Sequence, residues 1–186
     1  MDKKVNFIFD TETNGLANCS LLSISYIITI KEKIIDKQTK YYFPKERYNH
    51  YATDVNGLTQ DIVTQHRKNC DYPIYFEDDH SWLVGVMEEF NVDNIVAHNI
   101  SFDKKFLPID IINQINNRKI STFCTMKNNS EFVGIRRGKG FKTPKLVEAC
   151  RAYSIEFDES EAHSSYYDTL KTYELYIKTM ARRGWR

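Results

Sequence analysis

The stretch that most narrows what this chain can fold into is Val5-Asn6-Phe7-Ile8-Phe9-Asp10-Thr11-Glu12. It is dense in β-formers and apolar on both faces, the pattern of a strand buried inside a sheet. It ends in two carboxylates at i and i+2, and a strand points such a pair to the same face. Burying two unpaired carboxylates is costly, and aspartate is depleted in strands. Two arrangements resolve this: a bound cation between the acids, or a strand end where both reach water. Gly15, just beyond, suits the second.

Two later segments carry similar chemistry. One is Ala97-His98-Asn99-Ile100-Ser101-Phe102-Asp103; the other is Ala162-His163-Ser164-Ser165-Tyr166-Tyr167-Asp168. Four acids brought together repel strongly unless cations neutralise them, and divalent ions with oxygen ligands are the usual solution. Two such ions about 3.5–4 Å apart cut phosphodiesters, with a histidine free to take a proton from the attacking water. Each residue alone also has a plain reading. Asp103 suits the dipole of a helix N-terminus, with Asn99 or Ser101 as cap. Asp168 can pair on a helix surface with Lys171 or Thr172, and His163 can be a solvated surface histidine. On one regular helix His163 and Asp168 would stand about 140° apart, so they converge only if His163 lies at or before the helix start.

The chain has 186 residues, 41% hydrophobic and 27% charged, which suits one globular domain spanning residues 1–186. Its net charge of +1 offers nucleic acid little overall attraction, so any binding needs a local basic patch. Cys19, Cys70, Cys124 and Cys150 lie far apart without a Cys-x-x-Cys pair, which argues against zinc and for reduced, partly buried thiols. The longest apolar stretch, residues 21–30, contains Ser23, Ser25 and Thr29 and is too short to span a membrane. No targeting segment is visible. A soluble cytoplasmic protein with no membrane partner is expected. The abundance of Asn, Ile, Lys and Tyr suggests an AT-rich coding source such as a phage, which would place it in the host cytoplasm.

Strands are predicted over residues 5–12, 21–30 and 34–43, the last two forming a hairpin across Lys31-Glu32-Lys33. Helical patterns cover residues 58–66 and 79–90, the latter with Leu83, Val86, Met87 and Phe90 on one face and Asp78 or Asp79 as cap. A strand at 94–97 leads into a helix over 100–115, bent or broken near Pro108. A strand at 119–124 and helices at 144–154 and 164–181 follow. The last helix is expected to bury Tyr166, Leu170, Tyr173, Ile177 and Met180. Strands first, then strand–helix alternation, imply an α/β fold with a mixed sheet flanked by helices. Residues 128–143 look least structured.

Together the three segments resemble the motifs of the DnaQ-like 3′–5′ exonucleases of the DEDDh type. Phe9-Asp10-Thr11-Glu12-Thr13-Asn14-Gly15-Leu16 resembles the first motif, His98-Asn99-x-x-Phe102-Asp103 the second, and His163-x-x-x-x-Asp168 the third. The tyrosine subclass would carry a tyrosine four before the last aspartate, where this chain has Ser164. Val55-Asn56-Gly57-Leu58-Thr59 and the segment from Pro144 to Cys150 also match family patterns, and the likeness runs from Val5 to Ile177.

The resemblance implies an RNase H-like fold with a five-stranded mixed sheet, and two Mg²⁺ or Mn²⁺ ions held by Asp10, Glu12, Asp103 and Asp168. Asp10 would bridge both ions, Glu12 and Asp168 would complete the site that holds the attacking water, and Asp103 would serve the second. His163 would be the general base. Leu16 would wedge against the 3′-terminal base, Phe102 would pack near the terminal nucleotides, Asn99 would order the site, and backbone near Thr13 would approach the terminal ribose.

The likeness is to the proofreading subunit of bacterial replicative polymerase and free-standing phage relatives, with single-stranded DNA ends as substrate and a polymerase or other replication protein as candidate partner. RNase T and oligoribonuclease supply the RNA-directed alternative, and no residue here declares the choice. A non-catalytic module of the same fold would have lost an acid or the histidine, and all five are present.

Residues 131–145 carry Arg136, Arg137, Lys139, Lys142 and Lys145 among Gly134, Gly138 and Gly140, with Phe132 and Phe141. Such a loop can grip a strand through phosphates and stacking, or be plain solvated surface. The acidic run Asp158-Glu159-Ser160-Glu161 is ordinarily solvated, and would raise the pKa of a histidine held beside it.

Overall fold

Phe7, Ile8 and Phe9 are fully buried, so both faces of their strand are covered and it can only lie inside a sheet. The computed structural model, which describes residues 4–184, places this strand, β1 (Val5–Thr13), at the centre of five. β2 (Leu21–Ile30) pairs antiparallel with β1, and β3 (Lys33–Tyr41) antiparallel with β2. On the other side β4 (Asn94–Ala97) and β5 (Ser121–Cys124) run parallel to β1, giving the order β3-β2-β1-β4-β5. This is the mixed sheet of an RNase H-like fold, as expected.

Alternation along β1 sorts its side chains. Val5, Phe7 and Phe9 enter the main core with Leu83 and Met87 of α3 (His80–Glu89) and Ile111 of α5 (Ile109–Asn116). Ile8 faces the opposite way and meets Tyr176 of α8 (Ser165–Arg182). Asp10 and Glu12 follow Ile8 on that face. The stripe expected on α8 is rotated. Its buried residues are Ser165, Thr169, Lys171, Thr172, Leu175, Tyr176 and Thr179, whereas Tyr166 is exposed and Tyr173, Ile177 and Met180 only flank the contact.

The reason lies in β2. Ser25 pairs with Asp10 and Ser23 with Glu12, so these serines share the face of the acids. Ser165 Oγ lies 2.9 Å from Ser23 Oγ and 2.8 Å from Ser25 Oγ. Thr169 Oγ1 donates to the Ser25 carbonyl at 3.1 Å. Small hydroxyl side chains satisfy one another here and let the helix approach the sheet more closely than large apolar ones would.

Other expectations need correction. Residues 128–143 are not unstructured: α6 (Thr125–Val133) ends at Gly134, whose φ of 74° closes it, and a short hairpin pairs β6 (Arg136–Arg137) with β7 (Gly140–Phe141). An unanticipated helix, α1 (His50–Asn56), is capped by Asn49 and stopped by Gly57 in the left-handed region, ahead of α2 (Gln60–His66). Asp79 occupies the cap position of α3 without capping it; its carboxylate instead takes Lys40 Nζ at 2.7 Å and the Tyr42 hydroxyl at 2.8 Å. Cys70 is exposed rather than partly buried. Pro108 does separate α4 (Ile100–Asp103) from α5, and α7 (Leu146–Ala152) starts two residues after Pro144. No helix among the described residues is long and apolar enough to cross a membrane.

Candidate active site

The carboxyl ends of β1 and β4, adjacent and parallel, open beside the first turn of α8. Such strand ends are where open α/β sheets present ligand sites. A register shift between Glu12 and Thr13 marks the point where β1 leaves regular pairing with β2, a device that re-aims side chains at sheet margins. Asp103 arrives from α4 and is buried, and Thr11 donates its hydroxyl to Asp103 Oδ1 at 2.8 Å. Asp168 sits in the first turn of α8, directed at the sheet by the serine contact below it.

The four carboxylates feel one another. Burial, then the charges of Asp103, Glu12 and Asp168, hold the Asp10 carboxyl well above the usual range. Burial, followed by Asp168 and Asp103, pushes Glu12 up to about 8, opposed by the Asn56 side chain. Burial lifts Asp103 to about 7, with Asp168 adding and the Thr11 hydroxyl opposing. Burial also lifts Asp168 to about 6 against the influence of His163. Asp168 Oδ1 is buried with no hydrogen-bond partner, while Asp168 Oδ2 accepts the His163 amide at 3.3 Å.

His163 lies just before Ser164, the residue at the start of α8, in the left-handed region at φ 65°. That position resolves the spacing problem: the side chain is off the helix, and ligand-type atoms of Glu12, His163 and Asp168 all lie within 4.8 Å of one another. Asp158 and Glu159 of the acidic run before it are engaged elsewhere, whereas Glu161 lines the same cleft as His163. Asp158 Oδ1 accepts from Ser160 N and Oγ, Glu159 pairs with Arg151, and Asp158 N donates to the Tyr167 hydroxyl at 2.6 Å. A cleft of about 240 Å³ runs from Glu12 and His163 past Asn56 and Leu58 to the stacked rings of Tyr41 and His66.

The remaining predicted residues surround this cluster unevenly. Leu16 is 82% exposed at the tip of the loop after β1. Thr13 is buried, its hydroxyl donating to the Gly15 carbonyl at 2.6 Å and its own carbonyl accepting from Asn56 Nδ2 at 3.1 Å. The Asn99 carbonyl accepts from the Phe102 and Asp103 amides, and Phe102 packs on Phe106 beneath Lys105 Nζ. Arg136, Arg137 and Lys139 are exposed on the β6–β7 hairpin, where the Arg136 guanidinium covers Phe141 at 4.7 Å. Lys142 differs, because its ammonium is held by Glu148 at 2.6 Å.

The family model described as Exonuclease matches residues 7–176 of this chain. The chain belongs to the exonuclease family. Relatives fill in the neighbourhood, and the chain spans less than half the length of the first curated relatives it matches. DNA polymerase III subunit epsilon from Buchnera aphidicola subsp. Acyrthosiphon pisum is 28% identical over 187 residues, 95% of this chain and 73% of that one. Ribonuclease T from Buchnera aphidicola subsp. Schizaphis graminum is 35% identical over 89 residues, 47% of this exonuclease and 38% of that protein. A PolC-type DNA polymerase III from Ureaplasma parvum is 26% identical over 91% of this chain, which spans only 11% of it. Among solved structures, Exonuclease X in complex with 5′ overhanging duplex DNA shares the fold, with a TM-score of 0.65, 23% identity, and 97% and 94% of the two chains covered.

Several supports of the exonuclease site escaped sequence reading. Asn14, buried, donates to Glu46 Oε1 at 2.9 Å and to the Arg47 carbonyl at 2.8 Å, and accepts the Asn49 amide. Glu46 also takes Ser20 N and Oγ. These bonds fix the loop that presents Leu16. The α1 helix, held alongside, leaves Tyr51 85% and Val55 58% exposed. Asn49 and Gly57, the two caps, were the available sign of that helix.

Proposed function

We propose that this exonuclease domain removes nucleoside 5′-monophosphates from single-stranded 3′ ends, with DNA favoured, aided by two Mg²⁺ or Mn²⁺ ions. The observation that carries the proposal is the orphaned Asp168 Oδ1, buried beside three other carboxylates, a set of four that resists ionising together. An all-oxygen set of this charge fits hard divalent cations. Asp10, Glu12, Asp103 and Asp168 would hold them, Asp10 contributing to both. When bound, such ions supply charge stabilisation at the phosphoryl oxygens and a more acidic attacking water.

The chain's own groups do the rest. His163, beside Glu12 and Asp168, takes the proton of the attacking water on its exposed ring. Leu16 wedges against the terminal base, and Phe102 supports the neighbouring nucleotides. The Thr13 backbone, held by Asn56, faces the terminal ribose, and Asn99 orders the turn that presents Asp103. Arg136, Arg137 and Lys139 grip phosphates farther along the strand, while Lys142, bound to Glu148, holds the root of the hairpin.

The kinship with DNA polymerase III proteins supports a polymerase or other replication protein as partner. The higher identity to ribonuclease T over half of the chain favours a second reading, in which RNA 3′ ends are cut. One assay separates them: 5′-labelled single-stranded, double-stranded and mismatched DNA and RNA oligomers, first in chelator and then with Mg²⁺ or Mn²⁺. The expected result is stepwise shortening of single-stranded DNA only after metal is restored. Faster shortening of RNA selects the second reading. Full activity in a metal-free sample removes the two-ion mechanism.

A further inference from the structure

His98 belongs to the second motif, and its ring hydrogen-bonds Thr125 and Pro144 rather than a carboxylate of the acid cluster. Its ring bridges two segments that are remote in sequence. Nε2 lies 3.1 Å from the carbonyl oxygen of Pro144, and Nδ1 lies 2.9 Å from Thr125 Oγ1. A carbonyl only accepts, so Nε2 carries the proton, and Nδ1 accepts from the Thr125 hydroxyl. The backbone is tied at the same point, because the His98 carbonyl accepts the Met126 amide at 3.1 Å and Cys124 Sγ at 3.2 Å. Burial lowers the His98 pKa to about 4, so the neutral ring that this pairing requires persists at working pH.

The two segments bracket the basic hairpin. Thr125 opens α6, whose C-terminal Gly134 starts the hairpin, and Pro144 closes the return. Above the root, Glu148 holds Lys142 Nζ at 2.6 Å and the Lys145 amide at 2.7 Å. The Lys142 amide crosses to the Ile135 carbonyl at 2.8 Å. The hairpin is therefore a small two-stranded unit with exposed cations, clamped at its root, and one side of the clamp comes directly from the strand that leads to Asp103.

We propose that His98 is a positioning residue that couples the basic hairpin to the catalytic end of the sheet, and so sets the grip on a long strand rather than the chemistry at its terminus. This inference rests on the reading of the hairpin as a strand-gripping element. The bond that matters is the one to Pro144. Glutamine places an amide donor where Nε2 stands and keeps it, whereas asparagine keeps only the acceptor towards Thr125.

The test uses full-length His98→Gln, His98→Asn, a hairpin variant with Arg136, Arg137 and Lys139 changed to alanine, and the combination of that variant with His98→Asn. Each is assayed for kcat and KM on a dinucleotide and on a long single strand. His98→Asn is expected to raise KM on the long strand roughly 3- to 30-fold, far more than on the dinucleotide, with kcat preserved. His98→Gln should stay near wild type. In the hairpin background His98→Asn should add little, because the element it acts through is already disabled. Should His98→Asn fail to unfold cooperatively, His98→Phe, which keeps the ring volume but neither bond, replaces it in the same cycle.

A length-independent rise in KM, a matching loss of kcat, or full additivity with the hairpin variant would overturn the role of His98. If the hairpin variant shows length dependence and His98→Asn does not, only the His98 inference falls. If the hairpin variant shows none, the strand-gripping reading falls and takes this inference with it.

Discussion

The acid cluster and the basic hairpin are built on opposite principles. The acids project from the central strand β1 and from α4 and α8, which pack against its sheet, and their carboxylates are buried or half-buried. The hairpin's cations Arg136, Arg137 and Lys139 stand in solvent on a two-residue strand and the turn after it, with the Glu148–Lys142 and His98–Pro144 contacts at the root. The first region holds like charges together against their repulsion, a strained arrangement that a rigid scaffold can maintain. The second holds like charges apart on a surface, at little cost and with freedom to adapt. A domain of nearly balanced net charge can in this way concentrate negative charge where a cation is needed and positive charge where a phosphate chain would pass.

Disrupting each region should reveal different dependences. Asp10→Ala, which removes one carboxylate from the cluster, should cost about 10⁴-fold or more in kcat, on every substrate length alike. An effect confined to long strands would show that the cluster and hairpin are not separable as described. His163→Ala should lower kcat on the order of 10²–10⁴-fold and remove the ascending limb of the pH–rate profile. Oligonucleotide binding should survive in that variant, and a near-normal kcat with chemistry rate-limiting would exclude His163 as the base.

Neutralising Arg136, Arg137 and Lys139 should instead act on binding. The slope of log K against log salt should flatten by roughly 0.7 for each lost phosphate contact, and a dinucleotide should respond less than a long strand. Identical slopes would return the hairpin to ordinary surface.

The smallest effect concerns stability without metal. The raised carboxyls favour the folded state while protonated, so their contribution is complete below their ordinary pKa. It is lost as pH rises through about 6 for Asp168, about 7 for Asp103 and about 8 for Glu12. In chelator, Tm should therefore fall across that window. Glu12→Gln should blunt the fall, by about 2–4 °C for each kcal/mol of repulsion relieved. Parallel pH profiles for wild type and Glu12→Gln would mean that the acids do not couple in the folded protein.

What could be read from the residues followed the same division. The strand bearing Asp10 and Glu12 was legible because an apolar run with two terminal acids has few structural solutions. The displacement of His163 from α8 was legible from spacing alone. The orientation of α8 was not, because hydrophobicity directed attention to Tyr166 and Leu170. The helix buries Ser165 and Thr169 instead, for contacts with serines that a hydropathy pattern cannot see. α6 was missed for a related reason. Its buried face includes Asn129, which is satisfied by Thr125 and Thr179 rather than by apolar neighbours. The network of Asn14, Glu46 and Ser20 leaves no local pattern at all, since its partners are brought together only by the fold.

The serine contact between β2 and α8 also works as a spacer of fixed thickness. Ser23, Ser25 and Ser165 set how far the helix stands from the sheet, and Asp168 rides on that distance one turn later. A larger side chain at any of the three would lift the first turn of α8 without touching a carboxylate. The domain could remain folded and still hold Asp168 out of register with Asp10 and Glu12. Mutational intolerance at this site should therefore extend to serines that, by chemistry alone, look interchangeable with threonine or valine.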